Sequence, residues 1–159
     1  MLFCFDPPSL VQTLPDRSEG NFRMTKYMNR ANFDLADFLG RGGLGQANIE
    51  LNPNETLFSQ GDRADSVFYL QTGRVRLSVV SMEGKEATIT LLSAGDFVGE
   101  TALAPVAGFR LSRAIALSPC TALKIARDEM IRLMHEEVEV SQLFSAFLLR
   151  KAYACRPIL

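Results

Sequence analysis

Two charged residues that lie ten positions apart, Glu100 and Arg110, offer the clearest chemistry in the sequence. An arginine presents a permanently charged fork of N–H donors, which suits a phosphate group. An ionised carboxylate only accepts hydrogen bonds, so beside a phosphate it suits a neutral donor such as a ribose hydroxyl. Gly99 precedes the glutamate, and a glycine lets the backbone approach a ligand closely.

The residues that follow Gly99 add a second feature of an anion site. Residues 100–103 can open a short helix, whose free N–H groups attract a negative charge. A ligand with one phosphate and a ribose 2'-hydroxyl in close register is a cyclic ribonucleotide. A structural ion pair between Glu100 and Arg110 explains the same pattern equally well, and the residues alone leave both interpretations open.

Histidine and cysteine are too sparse for most metal or nucleophile chemistry. The chain has one histidine, His135, and three widely spaced cysteines, Cys4, Cys120 and Cys155. No CxxC or HxxxH spacing occurs, so we expect no metal site, no catalytic triad and no cupin-like enzyme. An odd, scattered set of cysteines is not a disulfide framework, which indicates the reducing cytoplasm. Cys120 is expected to be a small buried apolar residue.

Composition sets the class of protein. The 159 residues are 47% hydrophobic and 22% charged, which is typical of one globular domain. The net charge of -1 lacks the basic excess of a free-standing DNA-binding domain, so DNA binding by this chain alone is not expected. No apolar run approaches the ~18 residues of a membrane helix, and the first residues lack a basic signal-peptide start, so no membrane association is expected.

Residues 1–49 are predicted to form an irregular N-terminal segment with a short helix. The apolar spacing in residues 32–39 suits that helix. The glycine-rich run at residues 40–45 lacks the residue order of a phosphate loop and predicts a flexible loop. The sequence leaves open whether translation starts at Met1 or at Met24.

Residues 50–126 contain short apolar segments separated by turn signals every 8–12 residues or so, which is typical of a small antiparallel barrel or jelly roll. The continuous apolar run 67–70 predicts a strand that is buried on both faces. From Arg74 to Ser81 the residues alternate, with Val75, Leu77 and Val79 inward and Arg74, Arg76 and Ser78 outward. The other predicted strands are 56–58, 87–92 with Ile89 and Leu91 on one face, 113–117 and 121–125.

Residues 127–159 change to a helical period and are predicted to form C-terminal helices. Apolar residues follow the spacing i, i+3, i+4, i+7, i+8 at Val140, Leu143, Phe144, Phe147 and Leu148. This apolar face packs either on the chain's own barrel or on a second copy of the chain in a dimer. The pattern supports both interpretations equally.

A series of short motifs in this order and spacing closely resembles the cyclic-nucleotide-binding domain of the CRP/FNR family of bacterial transcription regulators. The likeness covers about residues 50–150. The motifs are Phe58-Ser59-Gln60-Gly61-Asp62, Asp65-Ser66-Val67-Phe68-Tyr69-Leu70, Gly73-Arg74-Val75, Gly84-Lys85-Glu86 and Gly95-Asp96-Phe97-Val98-Gly99-Glu100. The resemblance implies an eight-stranded antiparallel β jelly roll (a double-stranded β-helix), with flanking helices and a C-terminal dimerisation-type helix.

The resemblance also implies a ligand and its site. Glu100 corresponds to the family residue that binds the ribose, and Arg110 corresponds to the arginine that binds the phosphate. The implied ligand-binding residues are Gly99, Glu100, Thr101, Ala102, Arg110, Leu111 and Ser112. The implied ligand is a cyclic nucleotide, cyclic AMP rather than cyclic GMP, with no metal. A homodimer is implied through helix 138–153.

Three departures from the family qualify these expectations. Cyclic-AMP-binding members carry Ser or Thr after the arginine, whereas this chain has Leu111, and the lost charge-assisted hydrogen bond weakens phosphate binding by about 1.5–3 kcal/mol. Ser112 is expected to point to the other side of a strand. In the family the long helix continues and offers a hydroxyl to the purine, whereas residues 154–159 stand there in this chain. The family's helix-turn-helix domain should follow that helix, and its absence predicts a truncated chain that reaches DNA only through the missing domain. Cys4 alone cannot supply an FNR-type iron–sulfur site.

Two functions follow as hypotheses. The first is a sensory domain that binds a cyclic nucleotide and transmits the signal allosterically through its dimer helix. The second is a jelly-roll interaction module that has lost nucleotide binding, with Arg110 as a structural residue.

Overall fold

The computed structural model describes Leu35, Asp37, Phe38, residues 47–106 and residues 108–154. The chain divides into the units Met1–Phe33 and Asp34–Leu159, and all described residues lie in the second unit. Leu35, Asp37 and Phe38 are helical, in agreement with the short helix predicted at residues 32–39. The rest of that helix, the loop predicted at residues 40–45 and the tail at residues 155–159 lie outside the described residues.

Eight strands form two antiparallel sheets of four strands each. The strands are β1 (Ala47–Leu51), β2 (Thr56–Phe58), β3 (Ser66–Thr72), β4 (Arg74–Val80), β5 (Glu86–Ser93), β6 (Phe97–Val98), β7 (Arg113–Ala116) and β8 (Cys120–Ala126). The first sheet has the order β1-β8-β3-β6 and the second has the order β2-β7-β4-β5. The fold is mostly β, and the predicted jelly roll is confirmed.

Two strands were not predicted from the sequence. β1 begins at Ala47, three residues before the predicted jelly-roll boundary, and it pairs along its whole length with β8. Its residues are exposed or half-buried, so the segment lacks the apolar pattern that marks a strand. β6 has only two residues, both buried, and pairs with β3.

The core lies between the sheets, and β3 and β4 supply much of it. In β3, Val67, Phe68 and Leu70 are buried and Tyr69 is half-buried, which agrees with the predicted buried strand. In β4, Val75 and Leu77 are buried as predicted.

Four positions of the second sheet differ in burial from the expected pattern. Ser78 was expected to face outward, yet it is 0% exposed, because its hydroxyl donates to the Glu86 carboxylate at 2.5 Å and that side chain lies against it. Val79 was expected to face inward and is only half-buried. On β5, Ile89 and Leu91 are 49% and 60% exposed, so the apolar face they were predicted to form is turned towards solvent.

Two helices follow β8. They are α1 (Arg127–Glu136) and α2 (Val138–Ala154). α2 buries Val140, Phe144 and Phe147, and the rings of the two phenylalanines lie 5.1 and 5.5 Å from the ring of Phe97 in β6. Part of the predicted apolar face therefore packs on the chain's own β roll. In the described part of the chain, no helix is long and apolar enough to cross a membrane.

The turn between β3 and β4 depends on the absence of a side chain at Gly73. Gly73 has φ +85°, a left-handed conformation that favours glycine. A Cβ built there would overlap the carbonyl oxygen of Pro119 and lie 2.5 Å from the Sγ atom of buried Cys120. Gly84, in the turn before β5, has nearly the same φ of +80° but open space around it.

Replacing each of these two glycines by alanine separates backbone strain from steric overlap. We expect Gly84→Ala to lower the free energy of unfolding by about 1–2 kcal/mol, the cost of a left-handed Cβ. Gly73→Ala adds overlap with backbone atoms and is expected to cost about 3 kcal/mol or more. Urea denaturation of both variants measures the difference, and equal losses would contradict the close packing of the turn against Pro119 and Cys120.

Candidate functional site

Gly99 adopts a left-handed conformation, with φ 78°, immediately before the 3₁₀ helix Glu100–Leu103. This helix confirms the short helix predicted at these positions. A Cβ at Gly99 would overlap the Nη1 atom of Arg110 and lie 3.3 Å from the Phe58 ring. Glycine is therefore required both for the turn and for the close approach of the arginine.

Arg110 is buried, with an exposed fraction of 3%. Its Nη2 atom donates to the backbone oxygen of Ser66 at 2.7 Å and to the Ser66 hydroxyl at 3.2 Å, and Nη1 donates to the backbone oxygen of Gly99 at 3.2 Å. The guanidinium carbon lies 4.3 Å from the centre of the Phe58 ring and 5.5 Å from that of Phe68. Hydrogen bonds and ring faces thus replace water around a buried charge.

The backbone of Arg110 is held as firmly as its side chain. Its N–H donates to the backbone oxygen of Asp62 at 2.7 Å, and its carbonyl oxygen accepts from the N–H of Gly61 at 2.8 Å. Burial lowers the pKa of the Arg110 guanidinium, while the carboxylates of Asp65, Asp62 and Glu100 oppose that shift. The buried Nε atom has no hydrogen-bond partner within the described part of the chain.

Glu100 is tied to the end of helix α2. Its carboxylate forms an ion pair with the ammonium of Lys151, and both side chains are largely buried. A parallel ion pair joins Asp96, four residues before Glu100, to Arg150 on the same turn of the helix. The last turn of α2 is therefore attached by two charge pairs to the segment that contains the candidate site.

A direct ion pair between Glu100 and Arg110 was one interpretation of the sequence. In the structure, Glu100 forms its ion pair with Lys151 instead. The Nη atoms of Arg110 donate hydrogen bonds to oxygen atoms of Ser66 and Gly99. The two charged residues still lie in one region, since Gly99 touches the arginine and is bonded to the glutamate.

The remaining predicted site residues take different positions. Ala102 is fully buried, and its N–H donates to the Gly99 carbonyl oxygen at 3.0 Å, while Thr101 is half-buried. Leu111 is 64% exposed and does not fill the space beside Arg110. Ser112 lies in a bend just before β7, so the expectation that it occupies a strand is wrong.

Sequence reasoning missed two residues that contact the charged site residues: Ser66, which contacts Arg110, and Lys151, which contacts Glu100. Ser66 and its neighbour Asp65 belong to a recognised motif, but nothing in their spacing indicated that Ser66 accepts from Arg110, 44 positions away. The Ser66 hydroxyl also donates to the Asp65 carboxylate at 2.8 Å, which lowers the pKa of that carboxyl group. Lys151 carries no local signal, because its contact with Glu100 exists only once α2 folds back on the roll.

The described residues also enclose a cavity away from these charged groups. Its volume is about 210 Å³, and it is lined by Glu50, Leu51, Asn52, Thr72, Pro119, Cys120 and Thr121. Among the described residues, no group of three or more His, Cys, Asp or Glu side chains could hold a metal ion. The charged groups around Gly99 therefore remain the candidate site.

Comparison with known proteins agrees with this architecture. The model of the cyclic nucleotide-binding domain family matches residues 48–137. The cAMP-activated global transcriptional regulator CRP of Pasteurella multocida is 32% identical over 109 residues, which are 68% of this chain and 52% of the relative. The cyclic AMP receptor protein of Thermus thermophilus is 30% identical over 95 residues, which are 60% of this chain and 44% of that protein.

Solved structures show the same fold. The crystal structure of the Thermus thermophilus catabolite activator protein has a TM-score of 0.59 and 26% identity, and the match covers 69% of this chain and 51% of that one. The regulator CLP of Xanthomonas campestris has a TM-score of 0.66 at 17% identity, covering 75% and 58%.

The chain spans about half the length of the curated relatives it matches. The CRP proteins among those relatives are cAMP-activated global transcriptional regulators. The family match extends over more than half of the chain, from β1 to the first residue after α1. This chain therefore belongs to the cyclic nucleotide-binding domain family, in the form found in CRP-like regulators.

Proposed function

We propose that this chain is the sensory domain of a cytoplasmic CRP-like transcription regulator and that it binds cyclic AMP in preference to cyclic GMP. The proposed ligand-binding residues are Gly99, Glu100, Thr101, Ala102, Arg110, Leu111 and Ser112. The observation that supports the proposal is the contact between Gly99 and the buried guanidinium of Arg110. Gly99 directly precedes the 3₁₀ helix that begins at Glu100. The proposed role of the domain is to bind a ligand and not to catalyse a reaction.

Each charged residue has a defined part in this proposal. The Glu100 carboxylate accepts a hydrogen bond from the ribose hydroxyl, and Arg110 donates to the cyclic phosphate. The Nε atom of Arg110 is buried and has no partner among the described residues, so the side chain has to shift before a phosphate can accept from this donor. Leu111 provides no such donor, which makes the phosphate contact weaker than one supported by Ser or Thr.

Helix α2 would detect the ligand through Lys151. The ribose hydroxyl and the Lys151 ammonium both need the Glu100 carboxylate, so binding of one weakens the hold of the other. Release of Lys151 removes one of the two charge pairs at the end of α2 and leaves the pair between Arg150 and Asp96. Ligand binding thereby changes how the end of α2 is held on the roll.

We further propose a homodimer through helix 138–153. One stripe of α2 consists of positions 138, 142, 145, 149 and 153, which share a face at intervals of four, three, four and four residues. Val138, Leu149 and Tyr153 on this stripe are exposed large apolar side chains. The opposite face packs on the roll through Phe144 and Phe147, and we place the second copy against the exposed stripe. Regulation of transcription would require a separate DNA-binding domain.

A jelly-roll interaction module without nucleotide binding is the second candidate. Its support is that the Nη atoms of Arg110 are already bonded to protein oxygen atoms and that Leu111 replaces a phosphate donor. In this function Arg110 would only hold β3 against the Gly99 turn.

Calorimetric titration with cyclic AMP and cyclic GMP tests the ligand. We expect saturable binding, tighter for cyclic AMP, and a loss of about tenfold or more in affinity for Glu100→Gln, because a charge-assisted hydrogen bond is removed. Leu111→Ser should tighten binding by about tenfold, since it adds a hydroxyl donor at an exposed position.

Glu83→Gln is the matched control for the loss of charge, because Glu83 lies in the β4–β5 turn and pairs only with exposed Lys85. The affinity of the Glu83→Gln variant for cyclic AMP should equal that of the unchanged chain. Absence of heat at millimolar concentrations of both nucleotides, with a folded sample, would rule out the sensory function.

Sedimentation tests the dimer. Leu149→Glu places a charge in the centre of the exposed stripe of α2 and should shift the chain from dimer to monomer, because burial of an unpaired charge is costly. Met82→Glu adds the same charge at a fully exposed apolar residue in the β4–β5 turn and should leave the dimer intact. A monomeric unchanged chain, or equal dissociation in both variants, would contradict the dimer through α2.

Ser66→Ala separates the two candidate functions. We expect it to lower the free energy of unfolding by about 1–2 kcal/mol near pH 6, because Arg110 and Asp65 each lose a hydrogen bond. The hydroxyl lowers the pKa of Asp65 below its unfolded value of about 3.9. Its contribution is therefore present above that value and is lost as the pH falls through the folded pKa.

Urea denaturation between pH 6 and pH 2 should show the difference between Ser66→Ala and the unchanged chain shrinking with acid. Thr88→Val, which removes an exposed hydroxyl on β5 away from α2, should stay within about 0.5 kcal/mol at every pH. Cyclic AMP should raise the Tm of the unchanged chain, and it should raise the Tm of the Ser66→Ala variant by a smaller amount. A destabilised variant with no effect of cyclic AMP on either Tm would support the interaction module.

A further inference from the structure

The outer face of the second sheet carries two arginines on neighbouring strands. In the pairing of β4 with β7, Arg76 lies opposite Ile115 and Ser78 lies opposite Arg113. Arg76 and Arg113 are therefore diagonal neighbours on one face, at the separation of about 7–8 Å that long side chains can bridge. This face is separate from Arg110, whose side chain points between the sheets towards Phe58 and Phe68.

The two guanidinium groups leave most of their donors unused. A guanidinium has five N–H donors. Among the described residues, Arg113 donates from Nη2 to the Thr56 hydroxyl at 3.2 Å, and Arg76 forms an ion pair with Glu86 at 3.6 Å. The Nε atoms of both arginines are buried and have no hydrogen-bond partner in the described ranges. Two neighbouring positive charges whose exposed donors have few protein acceptors can bind an anion.

Glu86 supplies only part of the missing negative charge. Its Oε1 atom accepts from the buried Ser78 hydroxyl, and the same atom faces Arg76. The Ser78 hydroxyl is the largest influence that lowers the pKa of Glu86, followed by the charges of Arg76 and Arg113. The single negative charge of Glu86 therefore balances only one of the two positive charges of Arg76 and Arg113. The side chain of Glu86 is 38% exposed, so it can turn away when another anion arrives.

We propose that this face of the second sheet is an oxyanion site, in which a phosphate group binds between Arg76 and Arg113. A dianionic phosphate matches the two guanidinium charges, and its three oxygen atoms suit paired N–H forks. Glu86 occupies the position in the absence of the anion and competes with it. Binding here does not depend on the cyclic-nucleotide function, because none of these side chains belongs to the Glu100 and Arg110 region.

An NMR titration of the full chain with inorganic phosphate at constant ionic strength tests the site. The Nε–Hε signals of Arg76 and Arg113 should shift along one saturable curve. Arg132 on α1 is the internal control, because its Nε already donates to Glu129 at 3.1 Å. Its signal should not follow that curve. Acetate, titrated in the same way, should bind at least about threefold more weakly, because one charge is absent.

Three variants complete the experiment. Glu86→Gln should tighten phosphate binding about two- to fivefold, since an exposed competing ion pair is removed. Arg76→Gln and Arg113→Gln should each weaken it about tenfold, and Arg132→Gln should leave it unchanged. The proposal is overturned if Arg76 and Arg113 show no saturable shift. It is also overturned if Arg132 shifts equally or if the folded Arg76→Gln variant binds phosphate as the unchanged chain does.

Discussion

The buried guanidinium of Arg110 joins parts of the chain that are far apart in sequence. A charge removed from water is costly unless hydrogen bonds and polarisable neighbours replace the solvent. Here Ser66 supplies two oxygen atoms, Gly99 supplies a third, and Phe58 lies against the guanidinium. These contacts connect β2, β3 and the turn before the 3₁₀ helix. Removal of any one of them would leave part of a buried charge or a buried carbonyl unpaired.

The same arrangement constrains the neighbouring turn and the C-terminal helix. Only glycine fits at position 99, because a Cβ would overlap the arginine. That turn presents Glu100 at its exit, where Lys151 reaches it from α2. The aromatic contacts of Phe97 fix the middle of α2 on the roll. The candidate site and α2 are linked without a long chain of contacts, because the Glu100 carboxylate belongs to the site and also pairs with Lys151 of α2.

The β roll also shows how polar residues are accommodated on the outside of a sheet. Ser78 lies on the outer face by its register and yet is buried, because Glu86 folds over it between two arginines. Strand alternation predicts the face of a residue, whereas burial depends on the side chains of adjacent strands. Ile89 and Leu91 on β5 illustrate the converse case, since apolar residues on that strand remain exposed.

The sequence by itself determined the class of the fold and most of the strands, and it predicted Glu100 and Arg110 as residues of the candidate site. Apolar alternation, turn glycines and motif spacing are local properties of the chain, so they survive without knowledge of the fold. The edge strand β1 and the two-residue β6 carry too little local pattern to be recognised. The tertiary structure alone decided that Arg110 is held by Ser66, that Glu100 pairs with Lys151 and that Arg76 lies beside Arg113. Each of these contacts joins residues more than 30 positions apart, and their distance in space depends on how the two sheets and α2 pack, which no local pattern encodes.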